Sequence, residues 1–82
     1  MVFFALTRQG VEGFRQLSPS GGAPLWVSGG ILTLEELSEL RERGFNVTNF
    51  SSEIYPEDQD AVADAISTIK EHHPNELLWV EG

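Results

Sequence analysis

The chain contains no cysteine, which removes both a disulfide framework and a zinc–thiolate site as ways of holding a small domain together. Packing has to stabilise the fold unaided. The same absence fits a reducing compartment, and the expected location, the cytoplasm, rests mainly on the N-terminus. Basic residues are also scarce: five lysines and arginines stand against thirteen aspartates and glutamates, a formal charge of -8. That balance opposes non-specific binding to nucleic acid and to anionic membranes, so neither is an expected partner. A negative field can steer a basic protein or imitate nucleic acid, although solubility alone accounts for it more simply. Long apolar runs are missing too. Met1–Leu6 has no basic region before it and stops at Thr7 and Arg8, too short for a secretory or membrane-spanning segment. It reads as a strand of a soluble protein.

What is present is a pattern of alternating elements. The 82 residues make one domain, residues 1–82, near the size at which folding buries roughly 60 % of the unfolded chain's surface. Four apolar, β-rich runs recur at Val2–Leu6, Leu25–Val27, Phe45–Phe50 and Leu77–Val80, with helical patterns between them. The expected fold is therefore α/β, a small single-domain sandwich with a four-stranded, mainly parallel sheet and three helices in the order β-α-β-α-β-α-β. The strand order 2-1-3-4 is favoured, which puts the first helix on one face and the other two on the opposite face. An arrangement with one antiparallel strand is the rival.

The second helix has the clearest boundaries. Thr33 and Glu36 form a capping box, Leu32 can staple onto Leu37, and Gly44 supplies a C′ stop. Leu34, Leu37 and Leu40 form its expected inward stripe, with Glu35, Glu39 and Glu42 on the other side and Glu39 paired to Arg43. The third helix is expected to begin near Pro56, with Glu57, Asp58 and Asp60 complementing its dipole, and to end at Pro74. Its packing face is Val62, Ala65, Ile66 and Ile69. The first helix has Val11, Phe14 and Leu17 at helical spacing, but Gly13 lies inside it and Ser18-Pro19-Ser20-Gly21-Gly22 closes it early as a flexible loop. A helix that short covers its sheet face poorly, which leaves that face open to a partner or a second copy of the chain. The expected core is Phe4, Trp26, Val27, Leu37, Leu40, Phe45, Val47, Val62, Ile66, Ile69 and Leu78.

Parallel sheets gather their sites beyond the carboxyl ends of the strands. Thr7, Arg8 and Gln9 meet Ser28, Gly29, Gly30, Ser51 and Ser52 at that edge, with Thr33 opening the second helix. Arg8, Ser28, Gly29, Gly30, Thr33, Ser51 and Ser52 are the candidate ligand-binding residues. Glycines let a phosphate or carboxylate approach the backbone, the helix offers its positive end, and Arg8 brings a fork of donors. Two glycines also satisfy a tight turn without any ligand, and no Walker or dinucleotide fingerprint occurs. The loop from Asn49 to Tyr55 lies on the same edge.

Other constellations are weaker. Ser28, an acid and His72 or His73 follow the chain order of a hydrolase triad, but the histidines end a helix at the amino edge, roughly 15 Å away across a strand. Trp26 also replaces the first glycine of the nucleophile elbow. No catalytic residue is assigned. Adjacent histidines on a helix point apart, and Glu57, Asp58 and Asp60 lack calcium-loop spacing, so no metal or cofactor is expected. Trp26 and Trp79 read as core or interface residues, in a Leu-Trp-Val-x-Gly phrase that occurs twice. The function expected is a non-enzymatic protein-interaction or regulatory module, with a homodimer as one form. The alternative is binding of a phosphate- or carboxylate-bearing small ligand at the glycine junction.

Overall fold

In the computed structural model, which describes residues 1–17 and 22–81, the elements are β1 (Val2–Ala5), α1 (Arg8–Leu17), β2 (Leu25–Val27), α2 (Leu34–Glu42), β3 (Val47–Asn49), α3 (Gln59–His72) and β4 (Leu78–Val80). The expected loop at Ser18-Pro19-Ser20-Gly21 lies outside the described residues. The four strands form one sheet, parallel at every pairing. Among the described residues no helix is long and apolar enough to cross a membrane.

The strand order is β3-β2-β1-β4, not 2-1-3-4. The chain steps from β1 to β2 to β3 in one direction and then returns past both to reach β4. With right-handed crossovers, α1 and α2 must lie on one face and α3 alone on the other. Burial agrees. Val11 and Phe14 of α1 and Leu37 and Leu40 of α2 pack with Phe3, Ala5, Leu25, Val27 and Val47, whereas Ala65 and Ile69 of α3 pack with Val2, Phe4, Leu6 and Trp26. The thinly covered face is thus that of α3, the reverse of the sequence expectation. Three inter-strand gaps of about 4.8 Å make the sheet roughly 14 Å wide, while one helix is only about 10 Å across. Val62, Ile66 and Leu78, all expected in the core, are accordingly only half-buried, and all three belong to this face.

Local signals explain the helix ends. Thr33 and Glu36 form the reciprocal capping box. At the other end Gly44, at φ +92°, lets its own N–H reach Arg41 O and that of Phe45 reach Leu40 O, the paired bonds of a Schellman stop. Leu34 is a correction: at the first helical position it is 82 % exposed, because Ile31 and Leu32 pack against the core beneath that turn. Leu17 is likewise exposed at the end of α1. Pro56 precedes α3 rather than opening it, and Asp58 is the N-cap, accepting the Ala61 N–H at 3.2 Å.

The twin Leu-Trp-Val strands flank β1 on opposite sides and in registers one residue apart. Phe4 faces Trp26, whereas Phe3 faces Trp79. Since side chains alternate between faces, the shift turns one copy over relative to the other. Trp26 lies under α3 beside Phe50, and Trp79 packs on Phe3 towards α1.

Candidate functional site

α1, α2 and α3 each start at the carboxyl edge of the sheet, and each start is closed by a carboxylate of the chain itself. On α1 it is Glu81, which accepts the N–H of Leu6 at 2.7 Å and of Thr7 at 2.8 Å together with the Thr7 hydroxyl. On α2 it is Glu36, which accepts the Thr33 N–H at 3.0 Å and both Nη groups of Arg8. On α3 it is Asp58. The positive helix ends, which would draw a phosphate, already face negative charge.

The candidate ligand-binding residues divide accordingly. Arg8 turns to α2, donating to Ile31 O at 2.7 Å and to the Glu36 carboxylate. The Arg8 hydrogen bonds, followed by that from the Thr33 backbone, hold the Glu36 carboxyl at about 2, and the same pair raises the Arg8 pKa. Thr33 Oγ1 accepts the Glu36 N–H at 3.1 Å. Ser28 is 2 % exposed, and its hydroxyl accepts Ile54 N–H at 2.7 Å while donating to Ile54 O at 3.2 Å. A hydroxyl so bound ties a loop down rather than attacking a substrate.

Gly29 donates its N–H to Ser52 O at 3.0 Å, and a Cβ there would come within 2.6 Å of Phe50 O and 2.7 Å of Ser52 O. The residue is glycine because another backbone crosses it. Gly30 sits at φ +82°, where side chains are strained. Ser51 and Ser52 are exposed. A cleft of about 210 Å³ brings Ser28, Gly29 and Gly30 together with Thr7, Glu53 and Tyr55, but Arg8, Thr33, Ser51 and Ser52 do not line it. Its charged residue is Glu53, which accepts the Tyr55 hydroxyl and thereby raises the Tyr55 pKa.

A second depression had no counterpart in the sequence reading. It lies on the α3 side, about 300 Å³ in volume, between α3 and the segment after β3, with Phe50, Ile54, Ala61 and Ala65 as apolar lining and Glu53, Asp64, Ser52 and Thr68 as polar lining. Part of the signal was available: Ala61 and Ala65 are small residues one turn apart on α3, which leaves room beside the helix for a neighbouring side chain. His72 and His73 pack against Trp26, the first tilted at a ring-centroid distance of 5.3 Å and the second edge-to-face at 6.1 Å. Among the described residues no group of His, Cys, Asp and Glu converges as a metal site. Comparison of the chain with protein-family profiles, curated proteins and solved structures finds no match.

Proposed function

We propose that this chain is a non-enzymatic protein-interaction module that engages its partner across the α3 side of the sheet. The observation that carries the reading is the unequal cover of the two faces: Phe50, Ala61, Val62, Ile66, Leu78 and Val80 remain half-buried around α3, against Ala23, Ile31, Leu32 and Trp79 on the face that two helices cover. Partly covered apolar surface beside polar residues is the common character of a protein interface. The carboxyl edge supports a reaction less well, because the Arg8 guanidinium, the Ser28 hydroxyl and the Gly29 N–H already donate within the chain. A second copy is a poorer occupant than a different protein, since chains of -8 repel one another.

A photo-cross-linking amino acid at Val62, compared with one at exposed Glu35 on α2, tests this in cell extract. A discrete protein adduct from Val62, absent from Glu35, is expected. Equal adducts from both positions would contradict the reading. Saturable NMR shifts centred on Ser28–Thr33 with nucleotides or sugar phosphates would favour the small-ligand alternative.

A further inference from the structure

We propose that the groove between α3 and Phe50–Ile54 receives a cationic protein segment, which seats one apolar side chain on Phe50, Ile54 and Ala65 and sets a lysine or arginine against Glu53 and Asp64. This rests on the interaction reading above and names the class of partner.

Shape supplies the first argument. The floor is firm: Ile54 is 7 % exposed, Ala65 is 4 % exposed, and the Phe50 ring is held by Phe4 and Trp26 at centroid distances of 5.6 and 5.4 Å. A volume of about 300 Å³ lies at the bottom of the roughly 300–1,000 Å³ range of small-molecule pockets. An open depression of that size suits a side-chain anchor better than a whole ligand.

Charge supplies the second. Residues 44–69 contain Glu53, Glu57, Asp58, Asp60 and Asp64 and no lysine or arginine. The arginines are elsewhere and occupied: Arg8 with Glu36, Arg15 with Glu12, Arg43 with Glu39, and Arg41 with Val47 O. Glutamates on α2 are interleaved with arginine, so their field is partly neutralised, whereas the one lysine of α3, Lys70, stands in its last turn outside the groove lining. A cation on the incoming segment is therefore attracted here more than to the other acidic surface.

Backbone geometry narrows the mode of binding. The Val47 carbonyl already accepts from Arg41 Nη2 at 3.0 Å, which makes the β3 edge a poorer template for an added strand at that point. Side-chain contacts, rather than a strand ladder, are what the groove offers the segment.

The test is an NMR titration of the chain with a capped synthetic peptide carrying one leucine flanked by lysines. Matched peptides replace the leucine by serine or the lysines by glutamate. Saturable shifts at Ser52–Ile54 and Ala61–Thr68 are expected with the first peptide only. Glu53→Lys with Asp64→Lys should weaken binding by roughly ten-fold or more, Glu53→Gln with Asp64→Asn by less, and Glu35→Lys with Glu42→Lys should leave it unchanged. All these positions are exposed, so each variant should keep the fold, with spectral changes confined to the substituted residues and, for Glu53, to Gly30 and Tyr55, which its carboxylate touches. Absence of shifts, shifts centred on α2, or equal binding of the serine peptide would overturn the proposal. A Val62 cross-link to a protein with no peptide binding would remove the cationic segment and leave the interaction reading standing. Loss of both would remove both.

Discussion

Glu81 caps Thr7 across almost the whole length of the chain: one carboxylate oxygen takes the Thr7 N–H at 2.8 Å while the other takes its hydroxyl. The residue that follows the last strand thereby satisfies donors at the start of the first helix, and the Glu81 N–H bonds Phe4 O at 3.0 Å to continue the β1–β4 ladder. Thr7 Oγ1 in turn accepts the Gly10 N–H at 3.3 Å, so Glu81 holds the residue that caps α1, whose first turn contains no acidic residue of its own.

Removing this clasp should loosen the helix and the edge strand together. Glu81→Ala is expected to cost about 1–3 kcal/mol, the range of a lost cap with charge-assisted bonds. Urea unfolding checks it, and hydrogen exchange should rise at both Thr7–Val11 and Leu78–Val80. A change confined to the last residues would mean that the contact carries no stability.

Gly10 gives a sharper form of the same point. A Cβ on it would lie 2.0 Å from Glu81 Oε1, so alanine there must push the carboxylate out of place. Gly10→Ala should therefore destabilise the parent chain, yet stabilise the Glu81→Ala variant by up to about 1 kcal/mol through helix propensity. A double-mutant cycle reads the reversal of sign, and the same sign in both backgrounds would refute the coupling.

The Arg8–Glu36 pair predicts a dependence on acid. The Glu36 carboxyl is held at about 2 when folded, against about 4.3 in an unfolded chain. A carboxyl with a depressed folded pKa contributes stability that is fully present above the unfolded value and is lost as pH falls towards the folded one. The stability difference between the parent and Glu36→Gln should be constant near neutrality and shrink between about pH 5 and pH 2. A difference that stays flat over that window would show that the pair is not formed in solution.

Leu34 and Leu37 stand on the same helix and should behave in opposite ways. Leu37, 3 % exposed, should cost about 2–5 kcal/mol on replacement by alanine. Leu34, 82 % exposed, should change stability by less than about 0.5 kcal/mol. Equilibrium urea unfolding of the two variants separates them directly.

The contrast between those leucines also marks what was legible in the sequence. The boundaries of α2 could be read because Thr33, Glu36 and Gly44 act on backbone groups within a few residues of themselves. The alternation of strands and helices was equally readable, since period and length report it locally. Strand order was not, because it depends on whether the chain, on leaving β2, sets β3 beside β2 or beside β1, and no local pattern encodes that choice. The wrong order moved the thin face from α3 to α1. At the edge, the turn Ser28-Gly29-Gly30 after β2 could be read, but the partners that account for it, Ile54, Ser52 and Phe50, belong to a loop that returns from β3. Glu81 was missed for the same reason. A contact spanning 74 residues has no sequence period.

Hydrogen exchange of the chain, alone and bound to the protein captured through Val62, tests the central claim most directly. Protection is predicted at Phe50–Ile54 and Ala61–Ile69, with Ser28–Thr33 and α2 unchanged. Protection confined to Ser28–Thr33, or to α2, with none along α3 would contradict an interface on the thinly covered face.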